Sequence, residues 1–267
     1  MKKLLFAVLA LAAISPLCAQ RYILKDGKTV LNHADVVLKD GKLVRTIAAG
    51  AEVSYALTQI ARLDWPEPEE LEQSRQLLAA GKGAEAEEKI TPIFRLFTPF
   101  SKLPGSWWSD AALIRARALL EQKKNDEAER AARDIAATSS DEETKAAAQL
   151  IRARIQMLLD KPDVADEMLD VIMSKDYSAE IEARAAILRG DIAYGRKNFE
   201  KALELYLQVP AFYGTEEAVM PIALLGSARS YRGYGDNPRA ERAYLDIIVA
   251  YPDSAEAAIA KAESAKL

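Results

Sequence analysis

The feature that most constrains the fold of this chain is a helix pair, residues 184–210, that recurs along the sequence. Its first half repeats small and apolar residues at helical spacing, and its second half carries a new apolar stripe that ends at Pro210. Aligned without gaps inside the pair, five such units follow one another. The small residue that they share in the second helix is Ala86, Ala128, Ala165, Ala202 and Ala240. Because neither helix can bury its stripe alone, five units in series predict stacked helix pairs.

Small residues stand where the two helices of a unit approach closely, and aromatic residues fill the remaining space. The set is Gly190, Phe199, Ala202, Tyr206 and the closing Pro210. This pattern resembles the tetratricopeptide repeat, and the resemblance covers Pro68 to the C-terminus. It implies a mainly α chain in which residues 66–253 form an α-solenoid of about five helix-turn-helix repeats.

The C-terminal segment, residues 254–267, is predicted to form an alanine-rich capping helix. A solenoid leaves its final apolar face open, and such a helix would cover it. We expect Glu256, Lys261 and Glu263 on the outer side of this helix.

Residues 21–65 have a different residue pattern from the repeats. Short β-prone runs alternate with turns, two of which contain Asp26-Gly27 and Asp40-Gly41, and Asp-Gly between apolar runs predicts a hairpin. Four or five short strands, with one helical turn between Tyr55 and Ile60, predict a small antiparallel β domain. It resembles the SH3-like barrels of bacterial envelope proteins.

The N-terminal segment, residues 1–20, has the pattern of a secretory signal peptide. Two lysines precede the apolar run Leu4 to Ile14, and small residues lead to a cleavage site after Ala19 or Gln20. The exported chain would then contain no cysteine, and we expect it in the periplasm or cell envelope. The alternative is a lipoprotein acylated at Cys18, the one case in which we expect membrane association, but the bulky Leu17 does not suit that pattern.

Composition and motifs argue against catalysis, cofactors and nucleic acid. The formal net charge is -4, so no basic excess exists to neutralise phosphates. His33 is the only histidine, and we expect it in an exposed loop without the cysteine or second histidine that a zinc site requires. Gly81-Lys82-Gly83 lacks the remaining residues of a phosphate-binding loop. We therefore predict neither an enzyme nor a metal or cofactor site.

A row of arginines is the clearest candidate binding site. Counting back from the anchor alanines places Arg75, Arg117, Arg154, Asp191 and Arg229 at one equivalent position of the first helices, where the resemblance implies a concave groove. Tyr194 and Arg232 follow one turn later. Such a stripe suits an acidic peptide segment. Two alternatives stay open: the arginines pair with carboxylates of neighbouring helices, or a second register, Arg115, Arg152 and Arg189, faces inward instead.

The insertion Thr98 to Ser109 contains Trp107 and Trp108 side by side. They either fill the gap between the first two repeats or form an exposed docking loop. Together these features predict a non-catalytic scaffold that binds a segment of another envelope protein in the groove of the repeats. One alternative is a structural subunit of an outer-membrane or cell-division complex with flat contacts. Another is a murein-cleaving enzyme that uses one glutamate of raised pKa.

Overall fold

The computed structural model describes residues 20–267, so the predicted signal peptide and Cys18 lie outside the described residues. The described chain forms two compact units: residues 20–67 together with Leu103–Ser106, and Pro68–Lys102 together with Trp107–Leu267. Between residues 20 and 267, no helix is both long and apolar enough to cross a membrane.

The first unit consists of short antiparallel strands in two sheets, so the predicted small antiparallel β region is confirmed. The strands are β1 (Arg21–Leu24), β2 (Val30–Asn32), β3 (Val37–Lys39), β4 (Lys42–Thr46), β5 (Glu52–Ala56) and β6 (Ile60–Asp64). The sheet orders are β2-β1-β6 and β3-β4-β5. Asp40 and Gly41 both have positive φ, 49° and 71°, and form the two-residue turn between β3 and β4.

The segment Leu103–Ser106 belongs to this β unit although it lies far along the chain. The amide of Leu63 in β6 donates a hydrogen bond to the carbonyl of Pro104, with 2.8 Å between nitrogen and oxygen. Gly105 has φ of +75°, and a Cβ built on it would lie 2.1 Å from the Leu63 carbonyl oxygen. Only glycine therefore fits at this contact.

The second unit is a series of helix pairs, which confirms the predicted mainly helical repeat fold. Its helices are α1 (Glu69–Ala79), α2 (Gly83–Phe97), α3 (Trp108–Glu121), α4 (Asn125–Thr138), α5 (Glu142–Leu158), α6 (Pro162–Met173), α7 (Ala179–Gly195), α8 (Phe199–Phe212), α9 (Met220–Tyr234), α10 (Asn237–Ala250) and α11 (Ala255–Ser264). We call the first helix of each pair the A helix and the second the B helix. Every anchor alanine lies on a B helix and is fully buried, with 0% of its surface exposed.

The turns inside the five pairs share one backbone feature. A residue with positive φ stands at the same distance before each anchor alanine. These residues are Gly81, Lys123, Asp160, Lys197 and Gly235. This left-handed residue ends the A helix and redirects the chain into the B helix. The repeat therefore extends to the backbone conformation of residues whose side chains have little in common.

The helix α11 continues the row of A helices and contacts both ends of the array. It packs on α9 and α10 through the fully buried Ala257 and Ala260. A Cβ built on Gly81, in the turn between α1 and α2, would lie 3.2 Å from the Cβ of Ala255. The N-terminal end of α11 thus reaches the first repeat as well as the fifth.

Candidate functional site on the A-helix face

The two arginine registers seen in the sequence point to different neighbours. Arg115, Arg152 and Arg189 pair with carboxylates of the preceding B helix. For example, Arg152 Nε lies 3.0 Å from Glu129 Oε1 on α4. This register therefore joins each A helix to the B helix before it.

The other register pairs along the side on which the A helices meet one another, which we call the A-helix face. Its arginines contact carboxylates of later A helices or of α11: Arg75 with Asp110, Arg117 with Glu180, Arg154 with Asp191, and Arg229 with Glu263. The Arg117 pair joins α3 to α7 at 3.5 Å, so two A helices that are not consecutive lie close together on this face. All four arginines of the row thus have intramolecular acidic partners.

Tyrosines from two B helices complete two of these ion pairs. The Tyr206 hydroxyl donates to Asp191 Oδ1 at 2.6 Å, beside the contact of Arg154 with the other oxygen of that carboxylate. The Tyr244 hydroxyl donates to Glu263 Oε2 at 2.8 Å, while Arg229 binds the same carboxylate through Nε and Nη2. Each carboxylate is therefore held by a guanidinium and a phenol.

These contacts change the protonation equilibria of the groups. Burial opposes the charge on Glu263, but hydrogen bonds from Arg229 and Tyr244 outweigh it and lower the pKa of the carboxyl. The hydrogen bond to Glu263 raises the pKa of Arg229. Burial, assisted by the Asp191 charge, raises the pKa of the Tyr206 phenol. Burial also raises the pKa of the Tyr244 phenol, to about 12. At neutral pH the Arg229–Glu263 pair is therefore charged and both phenols keep their protons.

Arg117 is partly buried on this face, beside Glu180 and Arg184. Burial, with repulsion from Arg184, lowers the pKa of its guanidinium, and the charge of Glu180 opposes this change. For Glu180, burial raises the pKa, and the charges of Arg184 and Arg117 more than reverse that effect. The three side chains form one compact charged cluster across the A-helix face.

A cavity of about 330 Å³ opens at the C-terminal half of the A-helix face. Its walls come from α5, α7, α8, α9 and α11. The polar side chains in the wall are Arg154, Asp191, Tyr194, Tyr206, Arg229 and Glu256. The apolar side chains are Ile222, Leu225 and Ile259. The volume lies at the lower end of the range for small ligands and suits one or two inserted side chains.

The structure places the predicted groove residues in two groups. Arg154, Tyr194 and Arg229 line the cavity. Arg75 and Arg117 lie in ion pairs elsewhere on the same face. Arg232 is partly exposed one turn beyond Arg229, where its charge helps to lower the pKa of Glu263.

Glu256, Ile222 and Ile259 are cavity residues that the sequence did not identify. The prediction that Glu256 and Glu263 lie on the outer side of the last helix is wrong, because Glu263 holds Arg229 and Glu256 lines the cavity. Lys261 is exposed as expected. An acidic residue in a first helical turn is favourable in any helix, so the position of Glu256 alone carried no signal for a site.

The tryptophan insertion is at least in part a packing element. Trp108 begins α3 with only 5% of its surface exposed, and its ring centroid lies 6.3 Å from that of Phe94 on α2. Trp108 is therefore buried between the first two helix pairs and cannot belong to an exposed docking loop. Trp107 is partly buried.

The remaining titratable candidates are structural. His33 is partly buried, not in an exposed loop, and its Nδ1 lies 2.9 Å from the Tyr22 hydroxyl. Burial lowers the pKa of this histidine. Within residues 20–267 no three His, Cys, Asp or Glu side chains are grouped so that they could hold a metal ion.

Comparison with known proteins agrees with this arrangement. No curated protein matches the chain. The family model of the tetratricopeptide repeat-like domain matches residues 100–223, which contain the three helix pairs from α3 to α8. The match supports the resemblance seen in the sequence over that segment. The middle of the chain is therefore similar to tetratricopeptide repeat-like domains, and the same helix-pair pattern continues before and after it.

Proposed function

We propose that this protein is a non-catalytic scaffold for protein–protein interaction that holds a partner segment at the cavity of the A-helix face. The single observation that carries the proposal is the cavity itself, which four helices of the A row and α8 line with both apolar and polar side chains. The similarity to tetratricopeptide repeat-like domains suggests the same class of activity. Because protein segments bind through a few anchored side chains, a cavity of this size fits such an anchor.

The ion pairs give this site a rigid frame. Arg154 and Arg229 are each fixed by a carboxylate that a tyrosine also holds. A frame that is already ordered loses little side-chain entropy when a partner binds. The same pairing argues against the acidic partner that the arginine row predicted, because such a partner would have to displace Asp191 or Glu263.

We further propose the cell envelope as the place of this function. This part of the proposal rests on the charged start, apolar run and small-residue end of the segment 1–20. We also propose, from the sequence pattern of residues 21–65, that the β unit is SH3-like and that it takes part in binding.

A second candidate is a structural subunit that binds through its B helices. Two apolar side chains on neighbouring B helices are largely exposed, Phe212 on α8 at 75% and Val249 on α10 at 71%. Exposed apolar patches of this kind mark protein contacts. This surface is separate from the cavity on the A-helix face.

Reciprocal variants separate these two candidates. Ile259→Lys places a long charged side chain at the cavity, where Ile259 is 37% exposed, and Val249→Lys places the same side chain on the B-helix surface. The chain from Arg21 onward is used to capture partners from the envelope fraction of the producing cell. Loss of a partner with Ile259→Lys but not with Val249→Lys supports the proposed function.

The reverse pattern supports the structural subunit, and retention of every partner by both variants contradicts both candidates. Equal melting temperatures of the two variants and the wild type are the required control. The murein-cleaving alternative gains one feature, since burial raises the pKa of Glu256. Release of soluble fragments from purified murein by the wild type but not by Glu256→Gln would replace the scaffold with that enzyme.

A further inference from the structure

We propose that the cavity on the A-helix face receives a basic side chain of the partner segment, whose cation pairs with Glu256 while its aliphatic stem lies along Ile222, Leu225 and Ile259. This inference rests on the proposed function and names the chemistry of the partner. It reverses the acidic preference that the arginine row suggested.

The first argument is the balance of charges around the cavity. Two guanidinium groups line it, and each is already bound to a carboxylate: Arg154 to Asp191 and Arg229 to Glu263. The third carboxylate, Glu256, has no ion pair or hydrogen bond with any other residue between 20 and 267. After the two ion pairs are counted, these five groups carry one net negative charge, that of Glu256.

The second argument is the position of Glu256. It occupies the first turn of α11, where its carboxylate is bonded only to its own backbone amide, and it is partly buried. Burial is the largest cause of its raised pKa, the charge of Glu121 at the end of α3 adds to it, and Arg229 opposes it. A cation beside Glu256 would offset the cost of holding this carboxylate away from water.

The third argument is the apolar wall. Lysine and arginine carry their charge at the end of an aliphatic stem that packs well on apolar side chains. Ile222 and Leu225 on α9 and Ile259 on α11 offer such a surface beside Glu256. Tyr194 also lines the cavity, and its ring packs edge-on against Phe199 with 5.3 Å between the ring centroids. It therefore presents an aromatic ring to a bound cation.

An anionic side chain fits the same site poorly. It would have to compete with Glu263, which holds Arg229 through two guanidinium nitrogens, or with Asp191, which also accepts a hydrogen bond from Tyr206. It would in addition meet the carboxylate of Glu256 in the cavity wall. The geometry therefore selects for positive charge.

The test uses ¹⁵N-labelled protein that begins at Arg21 and four small probes. These are the Nα-acetyl N-methylamides of lysine, arginine, norleucine and glutamate. The amide signals of Ala257 to Ile259 in α11 report binding by NMR. We expect the lysine or arginine probe to shift them with a dissociation constant on the order of 1 mM, which is typical of so few atoms. The comparison of these two probes decides which basic side chain fits.

Two variants make the assignment specific. Glu256→Gln keeps the shape of the side chain, removes its charge, and should weaken the basic probe at least about tenfold. Glu241→Gln makes the same change on the exposed surface of α10 and should leave the affinity unchanged. Equal melting temperatures of the two variants and the wild type exclude unfolding as the cause.

Four results overturn the inference: neither basic probe binds, norleucine binds as tightly as lysine and arginine, the glutamate probe binds more tightly than they do, or Glu256→Gln has no effect. The capture experiment keeps this failure distinct from failure of the scaffold. If Ile259→Lys still abolishes capture while no basic probe binds, the scaffold stands and the basic anchor is wrong. If Ile259→Lys leaves capture intact, the proposed function fails as well.

Discussion

Tyr206 on α8 fills a slot that two glycines of neighbouring A helices leave open. A Cβ built on Gly226 of α9 would lie 2.4 Å from Tyr206 Cε1 and 2.5 Å from Cζ. On Gly190 of α7 it would lie 2.6 Å from the same Cε1. Carbon atoms in contact prefer about 3.5 to 4.0 Å, so neither position accepts a methyl group without movement. We therefore expect Gly226→Ala to destabilise the repeat unit.

The expected change in unfolding free energy is the cost of overpacking minus the gain in helix propensity. Overpacking of a core costs about 1 to 3 kcal/mol, and this case lies at the upper end because glycines limit the ring on both sides and Asp191 holds its hydroxyl. Alanine recovers up to about 1 kcal/mol over glycine inside a helix. The net loss of unfolding free energy is about 1 to 2 kcal/mol. With a urea slope of about 3 kcal/mol per M, the unfolding midpoint should fall by about 0.3 to 0.7 M.

Urea unfolding followed by circular dichroism at 222 nm measures this shift. Gly195→Ala is the matched control. Gly195 also lies in an A helix, α7, but a Cβ built on it would have nothing within 4 Å. That variant should be as stable as the wild type or slightly more stable. In a Tyr206→Leu background, Gly226→Ala should cost less than it does alone. A midpoint for Gly226→Ala equal to or above that of the wild type would refute the steric argument.

Three further changes test other parts of the structure. Asp141→Ala removes the N-cap of α5 and should cost about 1 kcal/mol in thermal melts at pH 7. The hydroxyl and amide of Thr144 donate hydrogen bonds to the Asp141 carboxylate and lower its pKa. The stabilisation by this cap is therefore present above the ordinary aspartate value of about 3.9 and should be lost as the pH falls through the folded value. Gly105→Ala forces a Cβ onto the Leu63 carbonyl at positive φ and should cost at least about 2 kcal/mol, seen as faster amide exchange in β6. Glu263→Gln weakens the charged, hydrogen-bonded pair with Arg229 and should lower the unfolding free energy measured in urea by about 1 to 2 kcal/mol. An unchanged value would show that the pair makes no net contribution to stability.

The repeat fold could be predicted because its signal is local and is repeated. The anchor alanines report close approach of two helices within each unit, and five copies make a coincidence improbable. The strand β2, Val30–Asn32, was not predicted because only its middle residue, Leu31, is buried, so it shows no extended alternation. The segment Leu103–Ser106 could not be assigned to the β unit, since its contact with β6 depends on residues far away in the sequence.

The candidate site was only partly visible for the same reason. An arginine row can be counted from the anchors, but the carboxylates that neutralise it lie on other helices. The partner of Arg117 is 63 residues away, and that of Arg229 is 34 residues away. Sequence periodicity gives the face on which a side chain lies and not the charge that meets it there. The choice between an acidic and a basic partner therefore required the structure.

The position of the cavity follows from the packing of Tyr206. At the position of Tyr206, the second and third repeats carry Ala132 and Leu169, so no ring enters from the B helix there as it does in the fourth and fifth. Where it enters, the Tyr206 hydroxyl reaches Asp191 on the A-helix face and its side chain becomes part of the cavity wall. Stability and binding therefore depend on the same ring. A variant that displaces Tyr206, such as Gly226→Ala, should weaken a cavity ligand as well as the fold, whereas Ile259→Lys should weaken the ligand alone.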